Sequence, residues 1–599
     1  MSKIPARNEI DPKYTWNAES VFASPEAWSA EAEQIIADIP AAKAFQGKIT
    51  ESAAMLADAL GAIENLVVRV ERLYMYAGFA YSVDTADQAA AAMADKAGSV
   101  YGQVIAAISF VQPEILEIGE KNLRQWMQDE SRLAIYEHFV DNLFRKQAHV
   151  RSSEVEEILG MLSDPFGGAS ATRSMLTNAD IKFPSVKTVD GQEIDLTQGT
   201  VPKILLSDDR DARKAAWNNY HDQYLAHKNT LASTLATSIK QNVFQMRARK
   251  HKTTLGASLF EDNIKTDVYH NLIDVFKKNL PVWQRYFDIR RKILGVNELH
   301  PYDLWAPLTE NSPKVSYGQA VDWICDGLAP MGEEYVATMR KGALEERWVD
   351  IYPNQGKRTG AFSWGSPGTH PFIMMSFNEN MLALSTLAHE LGHSMHSYLT
   401  WQNQPLVYGE YSLFVAEVAS NFHQALVRGH LLKSNPDKNF QIAIIEEAMS
   451  NFLRYFFIMP TLARFELETH ERAEKGEALT ADSMMTLMAD LFAEGYGESV
   501  SFNREHVGMI WSTFGHLFSD YYVYAYATGI SGAHALSRRV LDGVPNAVED
   551  YTKFLKAGAS MYPLDALKMA GVDLTKPDPV EETFAVMSEY IDRLEKLTS

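Results

Sequence analysis

Asn378-Glu-Asn-Met-Leu-Ala-Leu-Ser-Thr-Leu-Ala-His-Glu-Leu-Gly-His-Ser-Met-His-Ser-Tyr-Leu-Thr400 is the stretch on which the reading of this chain turns. Met381, Leu384, Ala388, Leu391, Met395 and Leu399 recur at helical spacing with no proline between them, which predicts one unbroken helix. His389 and His393 stand four residues apart on it. At the helical rise they lie about 6 Å apart along one face, where both imidazoles can converge on a single metal ion. Glu390, beside the first histidine, is placed to act as a general base on water at that metal. His396 shares the face but lies about 10 Å along the axis from His389, too far to close around the same ion, and reads as packing or as support for a ligand. A broken-helix site with a third histidine would need glycine at position 396 and histidine at position 399, where the chain has His396 and Leu399.

The third ligand must then come from another element, and a downstream carboxylate is the usual partner of two histidines. Glu410 follows Gly409 in a predicted turn, whereas Glu417 lies inside Ser412-Leu-Phe-Val-Ala-Glu-Val-Ala-Ser-Asn-Phe-His-Gln-Ala-Leu426, an apolar helical pattern. Burying a lone carboxylate costs several kcal/mol, so Glu417 requires a partner. A metal ion supplies one, and an ion pair with a distant Arg or Lys is the plainer alternative. Glu417 is therefore preferred over Glu410. Asn421, one turn further on, could orient a ligand histidine or equally cap or pack, and Ser420 offers no more.

These residues resemble the thimet oligopeptidase, neurolysin and oligoendopeptidase F family of zinc peptidases, its bacterial oligoendopeptidase F branch most of all. The resemblance is carried by Thr386-Leu-Ala-His-Glu-Leu-Gly-His-Ser-Met-His-Ser-Tyr398 and by Phe414-Val-Ala-Glu-Val-Ala-Ser420, whose glutamate matches the family's third zinc ligand. Pro5-Ala-Arg-Asn-Glu-Ile-Asp-Pro-Lys-Tyr-Thr-Trp16, Asn178-Ala-Asp-Ile-Lys-Phe-Pro184, Ala257-Ser-Leu-Phe260 and Tyr302-Asp-Leu-Trp305 extend it over nearly the whole chain. It implies a mainly α, multi-helical, two-lobed enzyme with a deep substrate channel and a small β-sheet next to the zinc helix. It implies one zinc ion per chain on His389, His393 and Glu417, with Glu390 as general base. It further implies cleavage of internal bonds in short oligopeptides with broad specificity, since folded proteins cannot enter such a channel. The family also supplies a histidine and tyrosines to the oxyanion: His516 here, with Tyr524 as first donor and Tyr521 as a substrate contact. This sequence departs from the mammalian members, where these residues stand further apart, so the choice among Tyr521, Tyr522 and Tyr524 stays open.

The bulk properties agree with a globular enzyme. A net charge of −21 argues against a nucleic-acid partner, and Arg247-Ala-Arg-Lys-His-Lys252 reads as a solvated helix end. Uncharged stretches such as 521–537 are interrupted by glycine, serine and threonine and fall short of the about 20 apolar residues a membrane span needs. Cys325 is the sole cysteine, which excludes an intrachain disulfide and suits a reducing compartment, so the cytoplasm is the expected location.

Amphipathic helices are expected over most of 21–180, and a small hairpin around the Asp190-Gly191 turn marks the main boundary. We expect an N-terminal helical domain over 1–200 and a zinc-peptidase catalytic domain over 201–599. Short strands are expected at Trp348–Tyr352, Gly360–Gly365 and Phe372–Phe377, the last offering an edge to an extended peptide, as a strand does in the resembling family. Tyr521, Tyr522, Tyr524 and Tyr526 would ordinarily form a packed aromatic layer, but beside a peptidase site a neutral phenol can donate to an oxyanion. Gly529 and Gly532 predict a helix break. The rival function is a non-catalytic peptide-binding protein with structural zinc; such sites favour four ligands and cysteine, and here a carboxylate base adjoins the ligand instead.

Overall fold

Serine and aspartate side chains start the first long helices. Ser24, Ser52 and Asp87 accept backbone N–H groups of the helices Pro25–Lys43, Ala53–Val83 and Gln88–Ile108, satisfying donors that a first turn cannot pair. The three pack on one another around Trp28, Ile35, Leu56, Leu66, Leu73, Val100 and Val104. Ala90, Ala97 and Ala107 of the third are buried.

The computed structural model describes residues 4–309 and 313–599, and these are mainly helical with two small sheets. The fold divides into two units, each gathered from three separated stretches. The first comprises Met1–Ala148, Lys314–His430 and Leu536–Gly571; the second comprises His149–Pro313, Leu431–Ala535 and Val572–Ser599.

In the first unit, Phe372–Met374 pairs in parallel with Val349–Asp350 and antiparallel with Phe362–Trp364, in the register Ser363 opposite Ile373. The strand expected to offer a free edge to a peptide is thus the buried central strand, flanked on both sides. The edges belong to Val349–Asp350 and Phe362–Trp364. The motif helix, Met381–Asn403, starts where the Asn380 side chain accepts the Ala383 N–H at 2.8 Å, and Pro405 follows its end. It is buried along Met381, Leu384, Leu387, Ala388, Leu391 and Met395. Gly392 lets the helix Leu413–Ser434 approach, since a Cβ there would meet the Ala419 carbonyl oxygen at 2.6 Å. The helix Ala547–Ala557 packs along the motif helix, with Thr400 Oγ1 donating to the Leu555 carbonyl at 2.9 Å.

In the second unit, the expected hairpin forms between Val186–Lys187 and Glu193–Ile194, with Gly191 at φ 81° in its turn. Asp303, fully buried, is held by Arg210 and Arg213. Trp283, Phe287, Phe457 and Tyr496 pack into an aromatic core through tilted, edge-on and stacked contacts. The helix Tyr524–Leu541 runs unbroken through Gly529 and Gly532, contrary to the break expected there. Burial of Ala527, Ile530 and Ala533 outweighs the intrinsic cost of about 1 kcal/mol that glycine carries in a helix.

Candidate metal centre and catalytic residues

His389, His393 and Glu417 come together within the first unit. His389 Nε2 lies 3.2 Å from His393 Nε2 and 3.4 Å from Glu417 Oε2, and the three groups offer ligand atoms all within 4.8 Å of one another. Zinc bound to nitrogen and oxygen donors in a tetrahedron sets neighbouring donors about 3.3–3.6 Å apart, so the three side chains fit that ion. Each ring is also oriented to present Nε2. His389 Nδ1 lies 3.3 Å from Gln424 Oε1, and the His393 ring hydrogen-bonds the Ala416 backbone. Burial first, then the neighbouring His389, pushes His393 down to about 4 and keeps it the neutral imidazole that a metal requires.

Ser420 and Gln424 complete this support. Ser420 Oγ donates to Glu417 Oε2 at 3.2 Å, and Gln424 Nε2 donates to Ser385 Oγ at 2.8 Å, which fixes the amide that faces His389. Asn421, the candidate for that task in the sequence, turns back to its own helix and donates to the Glu417 carbonyl at 2.8 Å. Gln424 was missed, although its place two turns beyond Glu417 on the same helix face is a signal that spacing carries. Glu410 does not join the cluster. His396 packs instead, stacked on the Tyr411 ring at a centroid distance of 3.7 Å.

Glu390 is 5% exposed and held differently from Glu417. Burial raises its carboxyl to about 7, with Glu417 adding to the shift and His389 and a backbone hydrogen bond from Ser363 opposing it. Its Oε2 is buried with no partner among the described residues. Ser363 belongs to the edge strand Phe362–Trp364, and its Oγ lies 2.8 Å from Ser394 Oγ on the motif helix. Strand and helix therefore fix the carboxylate from two sides.

The second unit carries His516 and the tyrosines. His516 is half-buried in the turn Gly515–Phe518, and burial, then Arg454 and Arg173, hold it below the ordinary imidazole range. Tyr521 is buried with φ 47°, its N–H donating to Glu466 Oε1 at 2.9 Å and its hydroxyl 3.0 Å from Thr254 Oγ1. Tyr524 is buried against Tyr269, with ring centroids 5.0 Å apart. Burial pushes both phenols above their ordinary range, so they stay protonated donors. Tyr522 is half-buried and lies parallel to His516, centroids 6.2 Å apart.

Comparison with known proteins places these features in a family. Residues 204–586 match the family described as Peptidase family M3, and residues 114–183 match the one described as Oligopeptidase F. Oligopeptidase PepF of Bacillus subtilis is 40% identical over 597 residues, covering 100% of this chain and 89% of that protein. Group B oligopeptidase PepB of Streptococcus agalactiae is 34% identical, covering 99% of this chain and 98% of that protein. The crystal structure of oligoendopeptidase-F from Enterococcus faecium superposes with a TM-score of 0.75 at 29% identity, covering 96% of this chain and 99% of that one. The chain belongs to peptidase family M3 and is a metallopeptidase, a hydrolase of peptide bonds.

Proposed function

We propose that this metallopeptidase uses one zinc ion on His389, His393 and Glu417 to hydrolyse internal bonds of short oligopeptides with broad specificity. The observation that carries the reading is a cluster of three donors, His389 standing at tetrahedral separations from both His393 and Glu417, beside a buried carboxylate with one oxygen unpartnered among the described residues. The printed names of the relatives, oligopeptidase and oligoendopeptidase, support the substrate class. When bound, zinc supplies a Lewis acid that polarises the scissile carbonyl and makes water easier to deprotonate. Glu390 Oε2 takes the proton from the attacking water and later hands it to the departing amine. From the family resemblance we assign His516 and Tyr524 to hydrogen bonding the oxyanion and Tyr521 to contacting the substrate; the parallel placement of Tyr522 beside His516 favours Tyr522 as a second reading for the donor. An extended peptide would pair its main chain with the edge strand Phe362–Trp364, which accepts any sequence. All these residues fall within the expected catalytic region 201–599. Cys325, the sole cysteine, supports a reducing compartment, and we place the enzyme in the cytoplasm.

The test is zinc content and turnover of a quenched oligopeptide in the wild type, Glu390→Gln and Glu417→Gln. Glu390→Gln should keep zinc and lose at least about a thousandfold in kcat, more than the loss of one oxyanion donor. Glu417→Gln should lose zinc. Full activity in the first, or tight zinc in the second, sinks the assignment. Casein should resist the enzyme under conditions that consume the peptide.

A further inference from the structure

In the second unit two arginines, Arg173 and Arg454, act on His516, and no acidic group is paired with either among the described residues. Arg173, in the helix Ser163–Met175, lies against the residue preceding His516: a Cβ on Gly515 would stand 3.0 Å from its Nη1. A guanidinium carries five N–H donors. Among the described residues Arg173 uses one of them, from Nη2 to the Ser512 carbonyl at 3.0 Å, while its Nε is buried without a partner. Its plane lies near Phe518, 5.7 Å from the ring centroid. Arg454 lies over Tyr455 at 5.9 Å, and neither arginine forms an ion pair among the described residues.

Other groups here suit the same ligand. His516 feels the charge of both arginines, and its Nδ1 is buried without a partner. Tyr220 and Tyr224 also feel the charge of Arg173, and their hydroxyls lie 3.3 Å apart. Burial pulls Arg173 below the ordinary guanidinium range, the mark of a cation taken from water without an anion in exchange. A planar fork with free donors matches a carboxylate better than any other group an oligopeptide carries.

We propose that Arg173, with Arg454 acting on the same histidine, recognises a carboxylate of the bound oligopeptide at the flank of His516. Two sources offer that chemistry: the peptide's C-terminus and an acidic side chain. The C-terminal source has a particular consequence. Every short peptide has a terminus near its cleaved bond, whatever its sequence, and most bonds of a long chain do not. An anchor for the terminus selects length without reading side chains. The inference rests on the reading that His516 serves the substrate.

The experiment measures KM and kcat on three versions of one quenched peptide: free C-terminal acid, C-terminal amide, and free acid with its acidic side chain changed to the amide. In the wild type, removing the recognised carboxylate should raise KM about tenfold or more, the scale of a charge-assisted hydrogen bond. A rise on amidating the terminus identifies the terminus; a rise on changing the side chain identifies the side chain. In Arg173→Met that KM ratio should fall towards one, and in the exposed Arg454→Gln it should fall part of the way. Equal KM for all three peptides in the wild type overturns the proposal, as does an unchanged ratio in both variants. The wild-type comparison depends on no variant folding. Turnover without discrimination defeats this inference alone, whereas no turnover of any peptide defeats the peptidase reading.

Discussion

Gly392 is the member of the His389–His393 motif that metal chemistry does not explain. A Cβ there would meet the Ala419 carbonyl oxygen and the Ser420 Cα, both at 2.6 Å, and these backbone atoms of the Glu417 helix cannot swing aside. Gly392→Ala should therefore cost about 1–3 kcal/mol in urea unfolding and weaken zinc binding by moving Glu417 from His389. A variant with unchanged stability and zinc affinity would refute the close approach. Gln424→Leu should leave the ligands in place yet weaken zinc about 10–100-fold, because nothing then orients His389, a loss that competition with a chelator would read. At this scale the sequence was informative where geometry is local. Helical spacing pointed His389 and His393 the same way, and an apolar helix left Glu417 in need of a partner. Spacing left open whether Asn421, one turn away, orients a ligand histidine or caps or packs; its rotamer depends on its neighbours, and it bonds its own backbone.

Elements were legible as segments and less so as neighbours. The motif helix, the Asp190-Gly191 hairpin and the three strands before the motif all lie where pattern and turn residues put them. The order of those strands was not readable, because pairing joins segments that sequence keeps apart, and Phe372–Met374 became the centre of its sheet. The tyrosine segment shows the same limit. Tyr521 and Tyr524 are buried near Tyr269, while Tyr522 stands beside His516. Single Tyr→Phe changes at 521, 522 and 524 should separate them: the donor to the oxyanion loses about a hundredfold or more in kcat with little change in KM. The others should shift stability instead, read by thermal melting beside the kinetics.

The whole chain carries a pH signature centred on Glu466, which is 1% exposed and holds its proton well above the ordinary 4.5 because burial, then Asp520, disfavours its charge. Its Oε2 has no partner among the described residues. The unfolded chain gives up this proton as pH passes about 4.5 and the folded chain keeps it, so the folded state binds more protons and stability falls as pH rises. Each unit of pH in that window costs up to about 1.4 kcal/mol. Glu466→Gln, which retains an acceptor for the Tyr521 N–H, should flatten the decline in melting temperature between pH 5 and 8, and an identical slope in both proteins would sink this account. The interleaving of the two units was invisible to pattern reading, which sees no contact between distant stretches. It also sets a timetable for synthesis. Lys314–His430 delivers both histidines and Glu417, yet the helix Ala547–Ala557 that closes the flank of the motif helix belongs to a stretch made about a hundred residues later. At about 5–20 residues per second the nascent chain waits roughly 5–20 s with its metal ligands made and that flank uncovered. The motif helix is therefore fully covered only late in synthesis, after both histidines and Glu417 have been made.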